Sequence, residues 1–133
     1  MRDQNLIQIR PLLNLLSPDM IADQHLTSES FQNITLRPIL KLQNDLLLLI
    51  WKNYLQKQLK NVLPTSSRLS KSAFIAQTIK SDAKLKNRLL GTVIGHFTAD
   101  EFAFFIENEA ELTRRTTDLM VQRIVSLYWL SKK

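Results

Sequence analysis

Once past Pro38 the chain meets no further proline or glycine until Pro64, and near the middle of that stretch lie six consecutive apolar residues, Leu46-Leu47-Leu48-Leu49-Ile50-Trp51. The span Pro38–Asn61 therefore predicts a helix of roughly 24 residues, or ~36 Å. Six apolar residues in a row occupy nearly two turns, so no rotation about the axis puts them all against one neighbour. A helix of this kind needs cover on more than one side, at the centre of a bundle or at a subunit interface. Ile39, Leu42, Leu46, Leu49, Ile50 and Leu59 fall at helical spacing. Leu46, Leu49, Ile50 and Trp51 are the expected core or interface anchors, with Leu47 and Leu48 on the opposite face.

The remaining segments carry helix signals too. Thr27-Ser28-Glu29 offers capping hydroxyls followed by an acid in the first turn. Phe31, Ile34 and Leu36 then form a short apolar face, and Pro38 implies a break or kink after Asn33, with Thr35 able to cap the next helix. Val62-Leu63-Pro64-Thr65-Ser66 reads as a stop. A helix ending near Lys80 turns Leu69, Phe74, Ile75 and Ile79 inward. Ser81-Asp82 caps another, Ala83 to about Gly95, with Leu85, Leu89, Leu90, Val93 and Ile94 apolar. Thr98-Ala99-Asp100-Glu101 is a capping box ahead of Phe102, Phe105 and Ile106. Asn108-Glu109-Ala110-Glu111 repeats that spacing, so residues 97–131 are either one helix or two. Beyond it Leu112, Leu119, Met120, Ile124, Leu127 and Tyr128 share one face, and Arg114, Arg115, Asp118 and Gln122 the other.

Composition agrees. There are 24 Leu and 11 Ile against 4 Val, with only 2 Gly and 4 Pro in 133 residues, which favours helices over a turn-rich sheet protein. The expected fold is all-α, a bundle of about 4–6 helices with a long central helix and a long C-terminal one. Residues 1–26 read as an N-terminal arm, docked or mobile, and 27–133 as a single helical domain. No apolar run approaches the roughly 20 residues of a membrane span, so a cytoplasmic location without membrane association is the default expectation.

Charge is unevenly distributed. The net charge is +6, but residues 37–96 hold 11 basic side chains against only Asp45 and Asp82. Five acids and no base fall within 100–111, and the two regions are candidates to face each other within the chain or across a dimer. The densest basic stretch, Lys80, Lys84, Lys86 and Arg88, spans the turn between two helices and is the candidate for phosphate contacts with nucleic acid. That turn lacks a glycine, and no aromatic side chain interleaves with the bases, so neither a helix-turn-helix nor a stacking platform is spelled out.

Enzymatic chemistry finds little material. Cys is absent, which removes thiol nucleophiles, disulfides and zinc ribbons. His25 and His96 stand in no Glu-x-x-His or His-x-x-x-His spacing, and His96 reads as a half-exposed helix-end residue, so neither a metal site nor a cofactor is expected. Glu107, Glu109 and Glu111 form no obvious acid/base pair. Gly91 and Gly95 suggest a close helix–helix contact, and Trp51 and Trp129 read as core or interface anchors.

Two stretches, FQNITLRPILKLQNDLLLLIW at 31–51 and LKNRLLGTVIGHFTADEFAFFIENEAELTRR at 85–115, together resemble a family of short uncharacterised bacterial helical proteins, some of them labelled glyoxalase. The resemblance implies a helical chain of similar length and brings no catalytic or binding residue with it. Glyoxalase-type enzymes resemble paired βαβββ modules whose strands supply His and Glu ligands, a pattern absent here. The expected function is accordingly a non-enzymatic helical interaction or structural module that self-associates as a homodimer. The alternative is a nucleic-acid-binding regulator using the 80–88 turn, followed by a glyoxalase-type lyase.

Overall fold

Thr98 starts its helix by exchanging two hydrogen bonds with Glu101: its Oγ1 accepts from the Glu101 amide at 3.2 Å, and Glu101 Oε1 accepts from the Thr98 amide at 2.8 Å. Thr27 does the same with Ser30, at 3.1 and 2.8 Å. Asp82 accepts from the Leu85 amide at 3.1 Å. These caps divide the chain, seen here in a computed structural model that describes residues 1–10, 27–59 and 68–131. The order is α1 (Arg2–Ile9), α2 (Ser28–Phe31), a π-helical turn (Gln32–Leu36), α3 (Arg37–Leu42), α4 (Asn44–Tyr54), a second π-helical turn (Leu55–Leu59), α5 (Arg68–Ser81), α6 (Ala83–Ile94), α7 (Ala99–Glu107) and α8 (Glu109–Ser131). The protein is all-α, with no strand among the described residues. His25, Leu59 as a side chain, the Pro64 stop, Leu69 and the Trp129 side chain lie outside what the structure describes.

Several expectations need correction. The chain does not break before Pro38. Instead the Arg37 amide reaches back five residues to the Gln32 carbonyl, widening the helix by one residue. A proline ring clashes with the carbonyl four residues back and removes a donor, and a π-turn relieves both without ending the helix. Thr35 therefore caps nothing; it is fully buried. The expected helix Pro38–Asn61 is interrupted at Gln43, whose backbone (φ −95°, ψ 9°) leaves helical geometry while its side-chain amide donates to the Thr92 carbonyl on α6 at 3.0 Å. Residues 97–131 are two helices, joined at Asn108.

The element touching most others is α8, packed against α4, α5, α6, α7 and the first π-turn. Between them lies one core that includes Phe31, Leu36, Leu47, Trp51, Ile79 and Leu112. Rings interlock at one end of it. Phe31 stacks on Phe104 with centroids 5.1 Å apart and meets Phe97 edge-on at 5.7 Å, while Phe97 lies 5.4 Å from Phe105. On α7 the buried side chains are Phe105, in the apolar core, and Glu101. Phe102 and Ile106, expected inward, are exposed, because α7 offers the core a single turn's width. Gly91 and Gly95 are both exposed, and a Cβ at Gly91 would meet nothing within 4 Å, so the expected helix–helix contact is absent there.

The described part of the arm docks through charge rather than through its Leu and Ile residues; α1 buries none of its own residues. Arg2 donates to the Gly95 and Phe97 carbonyls at 2.8 and 2.9 Å, and Asp3 accepts from the Ala99 amide at 3.1 Å. A cation thus sits on the carbonyl end of α6 and an anion on the amide end of α7, each complementing a helix dipole. Arg10 completes the clasp. Its guanidinium forms a two-pronged pair with Glu101 (2.6 and 2.9 Å) and also donates to the His96 carbonyl at 2.8 Å.

Candidate functional site

Two surface regions and one buried cluster carry the polar and apolar features worth weighing. The buried cluster is centred on Glu101, 1% exposed. Its carboxylate accepts from the Arg10 guanidinium, from Thr35 Oγ1 at 2.9 Å and from the Thr98 amide. Four donors satisfy both oxygens, so the ion is fully compensated. His96 borders this cluster, and burial, then the charges of Arg10 and Arg2, push its imidazole below the ordinary value of 6.5. With four donors on its two oxygens, the carboxylate holds α1, the first π-turn and α7 together. The capping-box spacing foretold Glu101 at a helix start, but nothing local announced its burial or its partner 91 residues away.

The first surface region is the outward side of α3 and α4. Trp51 is fully buried and stacks on Tyr54 at 5.7 Å, and Ile50 is half-buried against the core. Leu46 and Leu49, by contrast, are 42% and 61% exposed, and Leu42 is exposed beside them. As core anchors these two leucines are placed otherwise than expected, while Leu47, on the face opposite them, is wholly buried, as cover on that side requires. The phase is set by Leu47, Trp51 and Leu55, one helical turn apart, all facing the core. Leu46 and Leu49, three residues apart on α4, therefore share a solvent-facing side, and Leu42 is exposed at the end of α3. Asp45 and Lys52 flank the α4 pair on one side, both exposed and without an ion-pair partner among the described residues.

The second region is the corner between α5 and α6, and here the basic run divides. Lys80 is held by Asp118 on α8, Nζ to Oδ1 3.0 Å. This is where the basic middle meets the last helix; of the acids in 100–111, Glu101 pairs with Arg10 and Glu111 with Arg115 at 3.3 Å. Lys86, half-buried, points about 200° round the helix from Lys84. Lys84 and Arg88 lie one turn apart on the same face, and Lys57 from the second π-turn joins them across a cleft of about 170 Å³. Ile50 and Leu85 supply its apolar lining. Asp82 stands at the rim, held ionised below its ordinary value chiefly by the Leu85 amide, with further help from the Tyr54 hydroxyl, which donates to it. Tyr54 in turn is raised above its usual 10.0, by burial first and then by Asp82. Lys57 is a residue the sequence reading missed: it lies 27 residues before Lys84, and only the fold brings it to Lys84 and Arg88.

No group of three or more His, Asp or Glu side chains able to hold a metal occurs among the described residues, and no helix there is long and apolar enough to cross a membrane. Comparison with known proteins finds no matching family model, no matching curated protein and no matching solved structure.

Proposed function

We propose that the chain is a non-enzymatic helical interaction module that pairs with a second copy of itself through the outward side of α3 and α4. The observation carrying this reading is the exposure of Leu46 and Leu49 on one side of α4, with Leu42 exposed at the end of α3. Two-fold symmetry requires a surface that complements itself. In an antiparallel pairing of α4 with its copy, Leu46 of one protomer lies opposite Leu49 of the other. The flanking charges then meet as well. Asp45 and Lys52 share one side of the helix, so that crossing brings Asp45 of each protomer to Lys52 of its partner.

Solution mass tests the reading. The purified chain is expected at twice 15.5 kDa at about 10 μM, an ordinary concentration for a small specific dimer. Leu46→Lys and Leu49→Lys should each give a monomer with unchanged helicity. Asp45→Lys should weaken the dimer, and adding Lys52→Asp should restore it. A wild-type mass of 15.5 kDa, or a dimer indifferent to all four changes, would refute it.

A further inference from the structure

The cleft between α4, the second π-turn and the start of α6 has no part in the self-association just argued, yet its chemistry is one-sided. Lys57, Lys84 and Arg88 line it from two separate elements, and Asn53 and Gln58 add neutral amide donors. Lys57 and Arg88 have no ion-pair partner among the described residues. Lys84 likewise has no ion-pair partner among the described residues, and the Asp82 carboxylate at the cleft already accepts from the Leu85 and Lys84 amides and from Tyr54. Three cations against one acid leave the cleft at a net charge of +2. Cations held apart on a single wall are ordinary solvated surface. Cations brought from two elements to the same concavity repel one another unless an anion sits between them.

The charge and the size together select the ligand class. A phosphomonoester carries about −1.5 to −2 at pH 7, matching the cleft, whereas a carboxylate would leave it half-compensated. Arg88 offers a planar fork suited to two oxygens of one phosphate, and the two lysines supply point charges for the third. At about 170 Å³ the cleft is well below the roughly 300–1,000 Å³ of sites that enclose a whole drug-sized ligand. It accommodates the charged group and leaves the rest of the molecule at the open mouth. We propose that this cleft is a phosphate-binding site, taking the phosphoryl group of a small phosphomonoester between Lys57, Lys84 and Arg88.

The test is a titration of the full chain with inorganic phosphate and glycerol phosphate, followed by amide NMR, with acetate as the monovalent comparison. Saturable shifts confined to residues 53–58 and 82–88 are expected, with phosphate binding about tenfold more tightly than acetate. Lys84→Gln combined with Arg88→Gln should weaken phosphate binding by about tenfold or more, and Lys57→Gln should weaken it in the same direction. All three side chains are exposed, so the fold should survive, as circular dichroism would verify. Lys80→Gln combined with Lys86→Gln removes the same charge outside the cleft and should leave binding within about twofold. Shifts that never saturate, or equal losses from the two double variants, would overturn the site. So would a single-stranded oligonucleotide that binds tightly through all of Lys80, Lys84, Lys86 and Arg88 alike, which would mark a diffuse nucleic-acid surface.

Discussion

Replacing Glu101 by Gln changes one charge and almost no volume, at a carboxylate 1% exposed with a guanidinium only 7% exposed beside it. In the native protein both carboxylate oxygens accept, from Arg10, Thr35 and the Thr98 amide. Gln keeps one accepting oxygen and turns an NH2 toward donors on the other side. Arg10 is then a buried cation facing a donor, and one of the Thr35 or Thr98 groups is left unmatched. Removing one partner of a buried pair costs about 3–5 kcal/mol, because the remaining charge stays out of water uncompensated. Against a typical total of about 5–15 kcal/mol, that is about a fifth or more of the stability. For a chain of this size it corresponds to a fall in Tm of about 10–20 °C. The assay is thermal and urea unfolding followed by circular dichroism, with the double variant Arg10→Met, Glu101→Leu as the essential comparison. The double variant removes both charges and should recover part of the loss, the remainder reflecting Thr35 and the Thr98 amide left without their acceptor. A Tm drop below about 2 °C for Glu101→Gln would show that Arg10 reaches water and that the clasp contributes little.

Leu47→Ala should cost about 2–5 kcal/mol in urea unfolding, since Leu47 is wholly buried, while Leu49→Ala should leave monomer stability nearly unchanged. His96 is held below its ordinary 6.5, so the unfolded chain binds its proton more readily; the stability it contributes is complete above about pH 6.5 and is lost as pH falls. His96→Asn should flatten the fall in Tm between about pH 7 and 5, and an unchanged slope would refute the assignment. Thr116 Oγ1 is buried with no hydrogen-bond partner among the described residues, so Thr116→Val should be neutral or stabilising by about 1 kcal/mol. Gly91→Ala, on an exposed helical position with open space around it, should stabilise by about 0.5–1 kcal/mol in the same unfolding assay.

Capping chemistry was legible because it is local. Thr27, Asp82 and Thr98 each bond to an amide within three residues, so their spacing alone located three helix starts. The absence of Cys and the leucine excess similarly pointed to helices without a disulfide or thiol chemistry. The phase of α4 was a different matter. Four leucines, an isoleucine and a tryptophan in succession present nearly the same apolarity in every direction, so periodicity holds no information about which face turns inward. Packing against α8 and α6 chose Leu47 and Trp51 and left Leu46 and Leu49 on solvent. Pro38 shows the same division: its chemistry demands that a normal helical turn fail, and a break and a π-turn both satisfy that demand. Burial of the adjacent Thr35 and Leu36, within a helix that continues past Pro38, goes with the π-turn. The Arg10–Glu101 pair and the meeting of Lys57 with Lys84 and Arg88 join residues far apart along the chain. Such contacts depend on where whole helices lie, and a side chain's immediate neighbours in sequence carry no record of that.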